Sequence, residues 1–188
     1  MSSFEPKAVV IGASAGALEA LSVILPAVPA SFRLPILVVV HIPPDKTSVL
    51  AELFAAKCGL KVVEAEDKLP LEAGTVYFAP PDYHLLVETG GSLALSSDEA
   101  VLFSRPSIDV LFETAADAYG PGLIGIILTG ANEDGAWGLK AVYDAGGVAI
   151  VQDPKTAFQD AMPRAAIDAL PSAHILSLVS IATYLQKV

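Results

Sequence analysis

A chain of 188 residues, 53% of them hydrophobic, is long enough for one sizeable core and short for two, which excludes a disordered chain and argues for one domain over residues 1–188. A formal charge of −10 repels phosphate backbones and anionic lipid, so neither nucleic acid nor a membrane surface is an expected partner. The single cysteine, Cys58, excludes an internal disulfide and a cysteine-based zinc cluster, and reads as a small buried residue behind a helix.

The stretch Met1 to Lys7 lacks the basic-then-apolar plan of a signal peptide, and no apolar run is long enough to span a bilayer. A soluble cytoplasmic protein without membrane insertion is expected. Ala8-Val9-Val10-Ile11 is then an uninterrupted apolar run, as a strand buried on both faces should be, and Leu18, Leu21 and Leu25 recur at helical spacing. Between them, Gly12-Ala13-Ser14-Ala15-Gly16 matches the Gly-x-Ser-x-Gly nucleophile elbow. Such a turn projects a hydroxyl at a strand's carboxyl end, beside helix N–H groups ready to hold negative charge. Two other readings fit the same turn: a serine that caps the helix, and a dinucleotide turn where small residues let a pyrophosphate approach.

Pro26, Pro29 and Pro35 punctuate a connection to a second buried strand, Ile36 to Val40, which ends at His41. Past Ile42-Pro43-Pro44-Asp45, a helix carries Val49, Leu50, Leu53 and Phe54 on one face and closes at Gly59. Lys61 to Glu64 and Val76 to Ala79 are short strands, the second broken by Pro80-Pro81. Leu85 to Glu88 and Leu93 to Leu95, joined through Thr89-Gly90-Gly91-Ser92, form a β-hairpin. Ser107 caps a helix whose Ile108, Leu111, Phe112, Ala115, Ala116 and Tyr119 lie on one face, and Gly120-Pro121-Gly122 stops it.

A further apolar strand, Leu123 to Leu128, runs into Thr129-Gly130-Ala131-Asn132-Glu133-Asp134-Gly135. The next helix places Leu139, Val142 and Tyr143 together and ends at Gly146-Gly147. Val148 to Val151 is a strand, and Pro163 to Ala169 and Val179 to Gln186 are helices. Strands alternating with amphipathic helices predict an α/β fold: a doubly wound, mostly parallel, Rossmann-like sheet in three layers, with an antiparallel hairpin.

In such a sheet ligands bind outside the carboxyl ends of the strands, where the strand order reverses. Ser14, His41 and Asp134 each follow a different strand on that edge, and they are a nucleophile, a base and an orienting carboxylate. His84 precedes the hairpin's first strand and His174 follows Pro171, so neither shares the edge. Asp134 also fits an ordinary cap for the helix that follows it. A dinucleotide site wants an acid at the end of the second strand, where this chain has His41, and three glycines in a turn that here has two. The proposed chemistry requires neither metal nor cofactor.

Six blocks carry a resemblance over nearly the whole chain: Ile11 to Gly16, His41-Ile42-Pro43, Ala79 to Leu86, Arg105 to Phe112, Leu128-Thr129-Gly130 with Asp134-Gly135, and Met162 to Ala165. Together they resemble the catalytic domain of CheB, the chemotaxis protein-glutamate methylesterase. The resemblance implies a cytoplasmic serine hydrolase that removes glutamyl methyl esters from chemoreceptor cytoplasmic domains and often deamidates receptor glutamines. It puts the nucleophile, base and acid on Ser14, His41 and Asp134, and backbone oxyanion donors at Ala15 and Ala131. The family commonly has threonine or serine at the first of these positions and methionine-glycine where this chain has Ala131-Asn132, but a backbone donor survives a change of side chain. The best-known members also carry a receiver domain ahead of the first strand. A domain without that receiver is the expectation for this chain, with either no control in cis or a regulatory partner in trans. A nucleotide-binding oxidoreductase and a non-catalytic signalling module of the same fold are the alternatives.

Overall fold

The computed structural model describes residues 4–43 and 46–188; Pro44 and Asp45 of the expected connection, and Met1, Ser2 and Ser3 of the N-terminal stretch, lie outside the described residues. The first half contains β1 (Ala8–Ala13), α1 (Ala17–Ile24), β2 (Ile36–Val40), α2 (Leu50–Ala55), β3 (Lys61–Glu64), β4 (Thr75–Phe78), β5 (His84–Val87) and β6 (Leu93–Ser96). The second contains α3 (Ile108–Tyr119), β7 (Leu123–Ile127), α4 (Ala136–Asp144), β8 (Val148–Gln152), α5 (Ala161–Ala169), β9 (His174–Leu176) and α6 (Leu178–Gln186).

Seven strands pair in parallel in the order β3-β4-β2-β1-β7-β8-β9, and β5 with β6 makes a separate antiparallel ribbon. The expected doubly wound α/β architecture is therefore observed. β1, β2 and β7 are buried along their whole length, which is why they read as continuous apolar runs rather than alternating ones. Successive residues of β1 face opposite layers: Val9 and Ile11 share a core with Leu21 of α1 and Ile181 of α6, whereas Val10 shares one with Phe112 of α3 and Leu139 of α4. The chain builds β2 to β4 on one flank of β1 and then returns to the other flank with β7. The strand order reverses between β1 and β7, and the crevice at their carboxyl ends is the place such sheets bind ligands.

Several details depart from expectation. Leu18 is exposed, because the buried stripe of α1 is Ala17, Ala20, Leu21 and Ile24, and Leu18 lies a 100° step away from Ala17. Leu25 is buried but belongs to a 3₁₀ turn, Leu25–Ala27, after the helix. Val49 precedes the first residue of α2 and is exposed, and Tyr143 points outward one residue past the buried Val142. Cys58 is half-buried rather than buried, and desolvation pushes its thiol pKa up against the lowering effect of Lys57. β9 has no counterpart among the expected strands, because its three residues, of which His174 and Ile175 are exposed, carry no periodic signal. No described helix is long and apolar enough to cross a membrane.

Candidate active site

Ser14 immediately follows β1. Its N–H donates to Thr129 O (2.9 Å) across the reversal in strand order, and its carbonyl accepts from Ala17 N (2.9 Å) at the start of α1. Gly16, the residue before the helix, has φ +84°, a conformation that glycine adopts without steric cost, and a Cβ there would press on Phe158 Cβ at 2.7 Å. Thr129 stiffens the same turn, donating from its hydroxyl to Ala15 O (2.8 Å) and accepting from Gln159 N (2.9 Å). Neither the Ala15 nor the Ala131 amide, the two expected oxyanion donors, has an acceptor among the described residues.

His41 follows β2 and is tied to the serine turn by its own N–H, which donates to Ala13 O at 3.2 Å. Its ring Nε2 lies 2.8 Å from Asp134 Oδ2. Asp134 is completely buried, and its carboxylate is saturated: Oδ2 also accepts from Ile108 N (2.6 Å), while Oδ1 accepts from Ser107 Oγ (2.9 Å) and Asp109 N (3.0 Å). Burial pushes this carboxyl pKa up, but the hydrogen bond from His41 and the amides of Asp109 and Ile108 outweigh it, and the net position is below the ordinary value. An ionised carboxylate only accepts, so Nε2 carries the hydrogen and Nδ1 is the ring's free acceptor.

The reading of Asp134 as a cap for the helix after it is corrected by this geometry. The residue before α4 is Gly135, which has no side chain to cap with, and Asp134 instead takes the N-terminal amides of α3. The favour is returned by Asp109, in the first turn of α3, whose Oδ1 accepts from Gly135 N (3.0 Å) and Gly138 N (2.6 Å) at the start of α4. Asp109 is buried, and its pKa is pushed up to about 6, first by desolvation and then by the neighbouring charges of Asp134 and Glu113, against the opposing Gly138 and Gly135 amides.

The structure thus brings His41 and Asp134 into contact and sets Ser14 on the same edge, without a hydrogen bond between Ser14 and His41 among the described residues. Hydrogen bonds of this kind commonly close only once substrate is bound. His41 opens onto a cleft of about 630 Å³ with Pro43, Glu99, Phe103, Ser104 and Arg105, and Ser14 lines an adjoining hollow of about 340 Å³; Ile42 lies on the wall of both. Arg105 shapes the larger cleft, pinned by Asp82 Oδ1 (2.6 Å) and by the carbonyls of Ser97 and Asp98.

Three residues near the site escaped the reading of individual positions. Ser107, expected only to cap α3, also donates to Asp134. Asp109 caps α4, and His84, set aside as a bystander, is buried and accepts from Ser107 N at Nδ1 (3.1 Å) while Nε2 donates to Glu99 O (2.9 Å). The blocks Ala79 to Leu86 and Arg105 to Phe112 contained all three, but no spacing along the chain tells which residue across the fold each one meets. Among the described residues, no group of three His, Cys, Asp or Glu side chains is placed to hold a metal ion.

Known proteins resemble this chain over most of its length. A Leptospira interrogans protein, provisionally named a protein-glutamate methylesterase/protein-glutamine glutaminase, is 49% identical over 176 residues, covering 94% of this chain and 91% of its own. The protein-glutamate methylesterase/protein-glutamine glutaminase of Archaeoglobus fulgidus is 39% identical over 163 residues, which are 85% of this chain and 47% of that one, so the chain spans about half of this longer relative. The crystal structure of the Thermotoga maritima CheB methylesterase catalytic domain superposes with a TM-score of 0.92 at 34% identity, covering 97% of this chain and 98% of the other. The CheB methylesterase family model matches residues 9–185, nearly everything from β1 to the end of α6, and the chain belongs to that family.

Proposed function

We propose that this chain is a serine hydrolase that removes methyl esters from glutamate residues of chemoreceptor cytoplasmic domains, releasing methanol, and that it deamidates receptor glutamines by the same acyl transfer. Family membership and the names of the relatives support the substrate class. The observation that carries the chemistry is the 2.8 Å contact between His41 and the buried, ionised Asp134, on the edge where Ser14 leaves β1.

In this reading His41 Nδ1 takes the Ser14 hydroxyl proton as Oγ attacks the ester carbonyl. The negative charge that develops on the carbonyl oxygen is held by the Ala15 and Ala131 amides, which have no other partner among the described residues. Methoxide is a poor leaving group, so the imidazolium returns the proton as methanol departs. For a glutamine the same proton leaves with ammonia. Water, activated by His41, then breaks the acyl-serine bond and frees the glutamate. Asp134 keeps the proton of the resting ring on Nε2 and stabilises the imidazolium, remaining ionised throughout.

Methanol release from a methylated receptor fragment tests the proposal, with wild type and Ser14→Ala compared. The expected result is a loss of at least about 10³-fold in kcat with the fold intact. Wild-type turnover by Ser14→Ala would remove the serine from the mechanism.

A further inference from the structure

The block Arg105 to Phe112 includes an acid that the proposed mechanism does not use. Asp109 is 6% exposed and lies within α3, yet its carboxylate serves another helix. Gly135 and Gly138 are at the N-terminus of α4, where backbone N–H groups have no partner inside the helix. No local side chain supplies one: Gly135 occupies the capping position, and α4 has no side-chain cap of its own. Asp109 Oδ1 reaches across and takes both amides.

Gly135 directly follows Asp134, so the oxygen that holds the Gly135 amide also fixes the peptide plane through which Asp134 leaves the loop. The return contact runs from the Asp109 amide to Asp134 Oδ1. Two helix N-termini are therefore laced by two carboxylates, each capping the other's helix, and the second carboxylate is the one that meets His41. The helices are pressed together at this point: a Cβ on Gly138 would lie 2.7 Å from Phe112 Cβ and 3.0 Å from Asp109 Cα. Little slack is left for either carboxylate to swing.

We propose that Asp109 is a positioning residue for the hydrolase reaction: by capping α4 from α3 it fixes the loop that aims the Asp134 carboxylate at His41 Nε2. This inference rests on the proposed function for its kinetic consequence and on geometry alone for its structural one. Both amides are held by a single oxygen, Oδ1, so an asparagine with its carbonyl in that place keeps both bonds, whereas alanine loses both.

The experiment compares wild type, Asp109→Asn and Asp109→Ala on a methylated receptor fragment, together with the proton NMR signal of the His41 ring N–H bonded to Asp134. Asp109→Ala should lose at least about tenfold in kcat with KM within about twofold, because substrate contacts are untouched and only the transition-state geometry suffers. Asp109→Asn should stay within about threefold of wild type in kcat. The ring N–H signal should move or broaden in Asp109→Ala and stay in place in Asp109→Asn. If Asp109→Ala does not fold, Asp109→Ser, which is too short to span both amides, takes its place in the same comparison. A folded alanine or serine variant with wild-type kcat and an unmoved ring signal overturns the proposal, as does an asparagine variant as impaired as alanine. The NMR comparison stands by itself: an inactive wild type with the expected signal changes would count against the proposed function and leave the positioning role supported.

Discussion

Asp134 offers two carboxylate oxygens to four donors, and an amide cannot serve them all. In Asp134→Asn, one orientation turns the NH₂ against Asp109 N and the other against Ile108 N, so each leaves an α3 amide without its acceptor. Read from the chain alone, asparagine would be a neutral replacement for a capping aspartate. Seen in place, it should cost about 1–3 kcal/mol of stability, measurable by urea unfolding, and lower kcat by at least about 10² through the wrong histidine tautomer. A variant as stable and as active as wild type would contradict the saturated geometry. Asp109 gives a second, pH-dependent expectation. Asp134, with its pKa below the ordinary value, contributes stability that is present above about pH 4 and lost as pH falls through its folded value. Asp109 works in the opposite sense: with 3.8 as the ordinary value and about 6 in the fold, its contribution is complete below about pH 4 and lost as pH rises through 6. Asparagine cannot ionise, so Asp109→Asn should gain on wild type between about pH 4 and 7, by at most ~3 kcal/mol, in unfolding curves taken along that range.

At the scale of elements, the contact of α3 with α4 and with β1 decides how the site is assembled. A Cβ on Gly12 of β1 would overlap Ile108, so the missing side chain there lets the start of α3 settle against the strand that presents Ser14. Gly138 does the same for α3 against α4. In an exposed helix, exchanging glycine for alanine stabilises by up to about 1 kcal/mol. In Gly138→Ala the new methyl meets Phe112 Cβ, Asp109 Cα and Asp109 Oδ1 within 3.1 Å, and two of these three atoms sit on or next to backbone that cannot swing aside. The sign should reverse, with a loss of about 1–3 kcal/mol from overpacking. A raised urea midpoint in Gly138→Ala would show that the two helices have room to separate.

For the molecule as a whole, the site is an edge property: β1, β2 and β7 each deliver one polar segment to the same end of the sheet, and Thr129, just after β7, ties the turn after β1 to Gln159 and to the end of β8. Its carbonyl holds Ser14 N, its hydroxyl joins Ala15 O to Gln159 N, and its own N–H donates to Gln152 Oε1 (2.9 Å) at the end of β8. Thr129→Val keeps the shape and removes only the hydroxyl, leaving the Ala15 carbonyl and Gln159 amide unpaired. The expected cost is about 1–3 kcal/mol in stability, with a fall in kcat because Ala15, whose carbonyl the hydroxyl holds, also carries a proposed oxyanion donor on its N–H. Stability and turnover measured together on one preparation check it, and wild-type values for both would mean that the turn is held without the hydroxyl.

The layered α/β architecture and the edge on which the site lies are both legible in the order of residues along the chain. Strands buried on both faces have to be continuous apolar runs, so β1, β2 and β7 were legible, and the polar residues that end those runs, Ser14 and His41, were legible with them. Asp134 stood out as an acid on the loop after β7, but its partners did not, because capping helix α3 rather than α4 depends on how two helices far apart in sequence come to lie side by side. For the same reason Ser107, Asp109 and His84 looked like a cap, a first-turn acid and a spare histidine, although all three hold the site's surroundings through bonds spanning 15 to 29 residues. Short-range pattern reports which face of an element is buried; which side chain saturates which buried amide emerges only in the folded molecule, since that is fixed by packing across the core rather than by neighbours along the chain.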